Sequence, residues 1–393
     1  MPADAFIFIP GIKGTKLAQT NRPDWDIIWS GVQSNFETIE DLELSHVHNG
    51  KFYDESIDTI ILPNEIEKLA YGEFLRDLKS DYPVFIFNYD WRLPASENGK
   101  RLATYIDYLT EKSQATGRPI ASFDFVTHSL GNFVLRNYLK SNGFGRVHKI
   151  VFAAPPFRGS LDIVCAALIG EGVFPNVKAK IRKLIRTFPG ALELLASYRE
   201  ASRFTSTPRE HNLFDIDHWQ ENIRSKETPS KQAIAEKFEG ALSIASATVK
   251  EGLLDLNELT KDQRERVLVL VRGGYETYQS MNVIRNSKKA NEPRNFFQLE
   301  QALRTPDGDG RVPHVSSCCF HDSVLTLLVG DAIFYKEYSH GFILKDERVQ
   351  KLVNRFLYAS QFHYSIPGGS IKKVTGISRR TRNAQPYWQV TTE

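Results

Sequence analysis

The stretch Phe123-Asp124-Phe125-Val126-Thr127-His128-Ser129-Leu130-Gly131-Asn132-Phe133-Val134 decides how this chain is read. A β-prone apolar run leads into a serine, and a helical pattern over Gly131–Ser141 follows at once. A strand that turns directly into a helix holds the side chain at the turn out above the sheet, which is the setting of a nucleophile elbow. Small residues two positions to either side let strand and helix approach closely. Gly131 meets that need, whereas Thr127 stands where glycine is usual. Five-residue serine motifs are common by chance, so the reading depends on the surroundings.

Outward from the elbow, apolar runs alternate with helical patterns. Before it come Ala5–Pro10, a helix over Glu65–Lys79, Val84–Asn88 and a helix over Lys100–Lys112; after it come Lys149–Ala154, Arg266–Val271, Ser323–Val329 and a helix over Asp346–Tyr358. Strands alternating with helices predict an α/β fold, a mostly parallel sheet covered on both faces. From about Ser160 to Asp262 the strand signal disappears, and Pro175, Pro189 and Pro208 break a helical segment that reads as a cap. The irregular stretch Asn21–Asp58, with Trp25, Trp29, Phe36, Phe52 and Tyr53, reads as a lid-like loop or as a satellite core under a long loop. The expected organisation is a first core half over 1–160, a cap over 161–262, a second core half over 263–360 and a basic tail over 361–393.

Composition narrows the class. With 41% hydrophobic and 25% charged residues among 393, the chain is neither disordered nor fibrous. Cys165, Cys318 and Cys319 cannot build a disulfide framework, which fits a reducing compartment. The first apolar run is too short for a signal-peptide core, and no stretch reaches the roughly 18 apolar residues of a membrane span, so a soluble cytoplasmic protein is expected. The net charge of +3 is small but unevenly placed. In the tail, Lys372, Lys373, Arg379, Arg380 and Arg382 face Glu393 alone, and the run Lys178, Lys180, Arg182, Lys183, Arg186 contains no acid. Such runs suit an anionic surface or are ordinary solvated surface.

Three further motifs complete a site. Ile7-Phe8-Ile9-Pro10-Gly11-Ile12-Lys13-Gly14 is a strand ending in a glycine-rich turn, which supplies main-chain N–H groups for a developing oxyanion. Lys13 and Leu130 are the expected pair, through their backbones. Asp307-Gly308-Asp309-Gly310-Arg311-Val312-Pro313 is an acidic turn after a late strand, suited to orient a histidine. A calcium loop is disfavoured, because the twelfth position from Asp307 is Cys318 rather than glutamate. Tyr338-Ser339-His340-Gly341-Phe342 places a histidine after the last strand, where a loop can carry it over the elbow. The chain order Ser129, Asp309, His340 is that of the α/β-hydrolase triad, and it sets His340 apart from the other histidines; Asp309 is the expected acid of the turn. No metal or other cofactor is expected; His46 and His48 alone make a weak metal site.

With these pieces in place the chain resembles the lecithin:cholesterol acyltransferase family, including the lysosomal phospholipase A2 and phospholipid:diacylglycerol acyltransferases. Pro10-Gly11-Ile12-Lys13-Gly14-Thr15-Lys16-Leu17 is similar to that family's oxyanion turn, Tyr89-Asp90-Trp91-Arg92 to a characteristic tetrapeptide, and Thr127–Gly131 to its elbow. Ala154-Pro155-Pro156-Phe157-Arg158-Gly159-Ser160 resembles the start of its cap, and Gly308–Pro313 its acid turn. The resemblance implies that Asp90 and Arg92 brace the active-site entrance or a lid, that Trp91 is packed core, and that the substrate is a lipid ester. Secreted members carry signal peptides and disulfides; this chain shows neither, so their lipoprotein or lysosomal substrates are not implied. Ile181, Leu184 and Ile185 interleave with Lys178, Lys180, Arg182 and Lys183 at helical spacing, as on an interfacial helix or an ordinarily packed cap. The expected partner is a lipid ester at an anionic membrane surface, with no nucleic acid. Hydrolysis and acyl transfer stay open, as do an esterase or amidase on a soluble substrate and a non-catalytic scaffold of the same fold.

Overall fold

Backbone pairing follows the alternation of apolar runs. The computed structural model describes residues 5–21, 27–29, 39–45, 52–56, 58–78, 83–170, 178–205, 211–284, 296–330, 339–358, 362–365, 371–375 and 386. Strand β1 (Ala5–Ile9) is wholly buried and ends at the glycine-rich turn. From that turn β2 (Thr15–Gln19) pairs antiparallel with β3 (Ile27–Trp29) and β4 (Ile61–Ile66) in a small separate sheet. The chain continues through α1 (Lys68–Leu78), β5 (Val84–Ile86), α2 (Ala95–Ala115), β6 (Phe123–His128), α3 (Gly131–Asn142) and β7 (Val147–Ala153). Between β7 and the next sheet strand lie α4 (Asp162–Ile169), α5 (Lys178–Ile185), the short strand β8 (Ser202–Phe204) and the long helix Pro229–Glu251. Then follow β9 (Val267–Arg272), β10 (Thr277–Val283), β11 (Leu303–Thr305), β12 (Leu325–Val329), the helix Glu347–Tyr358 and β13 (Ile371–Lys373).

Seven strands form the main sheet in the order β13-β12-β9-β7-β6-β1-β5, all parallel except β13 against β12. Alternate side chains of one strand point to opposite faces, and this splits the core in two. Phe6, Phe8, Val126, Val151, Leu268 and Leu270 pack with α1 and the helix Glu347–Tyr358. Ile7, Ile9, Phe125, Ile150, Phe152 and Val269 pack under α2, α3 and the segment after β7. Burying a large apolar side chain contributes about 1.5–3 kcal/mol, so both faces need a helical layer. This is the α/β-hydrolase fold.

The structure corrects the sequence reading in several places. Glu65 lies in β4 and α1 starts only at Lys68, because Ile61–Ile66 pairs with β2 and Glu65 forms ion pairs with Lys16 and Lys68. The helical segment after β7 contains a strand, β8, which pairs with β10; three residues are too few to show a period. The stretch read as a basic tail contributes β13, an edge strand whose lysines are of the kind that blunt open edges. The apolar stripe of α5 is not offered to solvent, since Ile181, Leu184 and Ile185 are buried. Packing within the segment explains that stripe, and an exposed interfacial face does not. Trp25, Phe36, His46, His48, Pro175, Pro208, Arg379, Arg380 and Arg382 lie outside the described residues, as does the side chain of Lys178. Among the described residues no helix is long and apolar enough to cross a membrane.

Candidate active site

Ser129 sits at the turn between β6 and α3 with φ +49°, a left-handed backbone that costs a non-glycine residue about 1–3 kcal/mol. The strain is held by bonds on both sides. The Ser129 amide donates to the Ala153 carbonyl at 3.1 Å, and its own carbonyl accepts from the Asn132 amide and side chain at 3.1 and 2.6 Å. Gly131 cannot be larger, because a Cβ there would meet the Ile9 and Pro10 carbonyl oxygens at 2.5 and 2.7 Å. Thr127 is accommodated in mid-sheet between Ile9 and Phe152, though its hydroxyl is buried without a hydrogen-bond partner.

The turn after β11 and the loop before the helix Glu347–Tyr358 converge on this serine. His340 Nε2 lies 2.9 Å from Ser129 Oγ, and His340 Nδ1 lies 2.7 Å from Asp309 Oδ2. A carboxylate only accepts, so the imidazole proton belongs on Nδ1 and Nε2 is left to accept from the serine hydroxyl. Asp309 Oδ1 accepts from the amides of Val312 and Arg311 at 2.7 and 2.9 Å. Burial disfavours the Asp309 charge, but His340 and these two amides outweigh it and hold the carboxyl below its ordinary range. The neighbouring Asp307 is exposed and does not touch the histidine.

Two residues not singled out from sequence support this arrangement. His128 Nε2 faces the His340 carbonyl at 3.0 Å, so that nitrogen carries the proton, and Nδ1 accepts from the Tyr71 hydroxyl at 2.7 Å. Tyr71 in turn accepts from the Gly11 amide at 3.3 Å, linking elbow, histidine loop and glycine-rich turn. Burial, with His340 nearby, pushes His128 down to about 3, so it stays neutral. His128 adjoins the serine and could have been suspected; Tyr71 is 57 residues away and gives no sequence signal.

The relay opens into a cavity of about 270 Å³ lined by Ile12, Lys13, Ser129, Ile185, Leu194 and His340 among others. Leu130 precedes the first residue of α3, so its N–H lies at a helix N-terminus, where partial positive charge gathers. Lys13, on the facing turn, has φ +63°. Burial first, and then the Arg311 guanidinium, push the Lys13 ammonium down to about 7 against the opposing pull of Asp162. Asp162 also lines the cavity and binds Arg311 Nη1 at 2.5 Å.

Asp90 and Arg92 stand apart from the cavity. Arg92, 1% exposed, grips both Asp90 oxygens and reaches the Leu42 carbonyl at 3.0 Å and Asp54 Oδ1 at 2.8 Å. The pair thus ties described parts of the irregular stretch to the sheet. Trp91 is buried and donates to the Thr15 carbonyl. On α5, Lys180 pairs with Glu40 at 3.2 Å, while Arg182 and Lys183 border a second cleft of about 170 Å³ with Arg186 and Lys231. None of these cations lines the cavity at Ser129.

Comparison with known proteins gives three findings. The family profile of lecithin:cholesterol acyltransferase matches residues 18–263, a span that contains Ser129 and ends before Asp309 and His340. No curated protein matches the chain. Among solved structures, a chain of the Tle4–Tli4 complex aligns over 88% of this chain and 96% of its own, with a TM-score of 0.59 and 14% identity. A chain of the gene lin2722 products from Listeria innocua aligns over 92% and 100%, with a TM-score of 0.35 and 13% identity. At these identities the first likeness is one of fold alone, and the second carries no argument.

Proposed function

Because the chain belongs to the lecithin:cholesterol acyltransferase family, we propose that it is a serine-dependent lipid ester hydrolase or acyltransferase working through Ser129, His340 and Asp309. The observation that carries this reading is the continuous relay from Asp309 through His340 to Ser129 at the wall of a largely apolar cavity. His340 Nε2 takes the hydroxyl proton as Ser129 Oγ attacks the ester carbonyl, and the oxyanion is received by the N–H groups of Lys13 and Leu130. The carbon–oxygen bond to the alcohol breaks, and His340 returns its proton to that alcohol, leaving an acyl-serine. Water or a second alcohol then repeats the steps in reverse. Asp309 keeps the imidazole in the required tautomer.

Around this chemistry, the segment 161–262 serves as a cap over the core halves 1–160 and 263–360, and the Asp90–Arg92 pair braces the irregular stretch near the entrance. Lys180, Arg182 and Lys183, with Lys178, present the enzyme to an anionic membrane; the cations support this, whereas the buried stripe of α5 no longer does. The test is labelling with a fluorophosphonate, followed by assay of ester turnover with and without an added alcohol acceptor. Label on Ser129, lost in a folded Ser129→Ala variant together with turnover, is the expected result. A folded Ser129→Ala protein that keeps most of its activity ends the proposal.

A further inference from the structure

The second cleft, of about 170 Å³, shares no lining residue with the cavity at Ser129. Arg182 and Lys183 border it from α5, Arg186 follows one turn after Arg182, and Lys231 stands in the first turn of the helix Pro229–Glu251. Among the described residues no carboxylate lines the cleft, and Arg182, Lys183 and Arg186 pair with none. Lys231 meets Glu227 at 2.7 Å, but both side chains are exposed, where such a pair contributes about 0–1 kcal/mol. Like charges around one hollow repel each other, more strongly as water is excluded. Arg186 shows the effect: burial, and next the Arg182 guanidinium, push it down to about 10. It is nonetheless held in place, because its Nε donates to the Ala167 carbonyl at 2.8 Å in the last turn of α4, the negative end of that helix. Gln220, 1% exposed at the cleft wall, has an Oε1 with no hydrogen-bond partner among the described residues. A buried polar atom left this way costs about 1–3 kcal/mol. Leu168 and Ile234 give the cleft apolar edges, and Ile234 is an exposed one.

We propose that this cleft binds a phosphate monoester, carried by a lipid headgroup or by a small soluble molecule, at a site separate from Ser129. A phosphate monoester has a second pKa of about 6, so at pH 7.5 it brings close to two negative charges. Its oxygens accept from Arg182, Lys183, Arg186 and Lys231, and each guanidinium fork can take two of them at once. The monoester that keeps one proton also has a P–O–H, the kind of donor that Gln220 Oε1 lacks. A carboxylate brings a single charge and two oxygens, and leaves most of the cationic charge unmatched. The apolar edges at Leu168 and Ile234 suit the carbon to which the phosphate is esterified. Such a site needs no ester chemistry. It shares Arg182 and Lys183 with the membrane-facing role proposed above, and rests on that role only where the phosphate belongs to a lipid.

The experiment uses the unmodified full chain and two probes. Glycerol 3-phosphate is titrated by calorimetry at pH 7.5, with glycerol as the blank. Phosphatidylcholine vesicles carry either phosphatidic acid, a monoester, or phosphatidylglycerol, a diester, at matched surface potential; all lipids are ether-linked, so no ester is consumed, and sedimentation reads binding. Phosphatidic acid vesicles should bind about five-fold or more tighter than phosphatidylglycerol ones, and glycerol 3-phosphate should compete. Arg182→Gln, Lys183→Gln and Lys231→Gln together should bring the two lipids to within about two-fold and weaken glycerol 3-phosphate by about ten-fold or more, which is about 1.4 kcal/mol. Lys180→Gln, on the same helix but outside the cleft, should lower binding to both lipids alike and leave their ratio unchanged. Should the triple variant fail to fold, acylation by an amine-reactive reagent decides on the unmodified chain: saturating glycerol 3-phosphate should slow Lys183 and Lys231 about three-fold or more and leave the exposed Lys100 unchanged. Dependence on the three residues for glycerol 3-phosphate alone assigns the site to a soluble phosphate; the same dependence for the vesicle preference assigns it to a lipid headgroup. Failure of both probes, or binding and preference that survive in the folded triple variant, overturns the site, as does acylation that glycerol 3-phosphate does not slow. Equal binding to both charged lipids that falls with Lys180→Gln would then leave only a general attraction to anionic membranes. Loss of the ester reading by the fluorophosphonate test leaves all these readouts standing.

Discussion

At the scale of single residues, the acid turn makes the sharpest test, because two aspartates two positions apart differ completely in surroundings. Asp309 is 2% exposed and holds both His340 and two amides, while Asp307 is exposed. Asp309→Asn should lower kcat by about 10⁴-fold through the wrong imidazole tautomer, while Asp307→Asn should stay within a few-fold of the unmodified enzyme. Steady-state rates on a short acyl ester check this, and the opposite ranking would move the acid to Asp307. Chain order pointed to Ser129, the acid turn and His340, because this fold's topology imposes that order, but it could not choose between Asp307 and Asp309. Tyr71 and the buried hydroxyl of Thr127 were illegible, since contacts between distant strands and helices leave no local pattern.

At the scale of elements, helix α2 begins against a buried acid. Glu193, wholly buried, accepts from the Ala95 amide with both oxygens at 2.9 and 3.1 Å. Burial raises its pKa well above 4.5 despite that amide and Thr248. A raised native value means that its contribution to stability is full below about pH 4.5 and is lost as pH rises through the native value. Glu193→Gln keeps an acceptor for Ala95 and cannot ionise, so it should raise Tm at pH 8 by roughly 2 °C or more, with the gain shrinking towards pH 4.5. A Tm below that of the unmodified protein at every pH would refute this. Helix α5 offers a second test. Changing Lys178, Lys180, Arg182 and Lys183 to glutamine should weaken binding to anionic vesicles by up to about 1 kcal/mol per charge, in a salt-sensitive way, and spare turnover of a soluble ester. Equal loss on vesicle and soluble substrates would make the helix structural. The sequence pattern found the stripe of α5, yet periodicity says only that one side is apolar. Which neighbour covers it is decided in three dimensions.

At the scale of the whole molecule, the sheet is closed on one edge by a strand from the far end of the chain. Lys373, Lys372 and Ile371 lie opposite Leu327, Leu328 and Val329, and the Val374 amide reaches the Thr326 carbonyl at 2.9 Å. Ending the chain after residue 365 should bare the β12 edge, lower Tm by about 1 °C for each kcal/mol lost and promote concentration-dependent aggregation. Unchanged melting and light scattering would show that β13 contributes nothing. The sequence by itself determined the parallel sheet, the elbow and the order of its three polar residues, because strand runs, turn chemistry and a strand-to-helix serine are local signals. Only the tertiary structure decided which aspartate meets His340, that α5 turns its apolar side inward, that polar Ile371–Lys373 completes the sheet, and that Lys13 and Arg311 share a wall with Ser129. Each of these depends on segments far apart in the chain meeting at a few ångströms, and such distances are set by the packing of the two sheet faces, not by the pattern along any one segment.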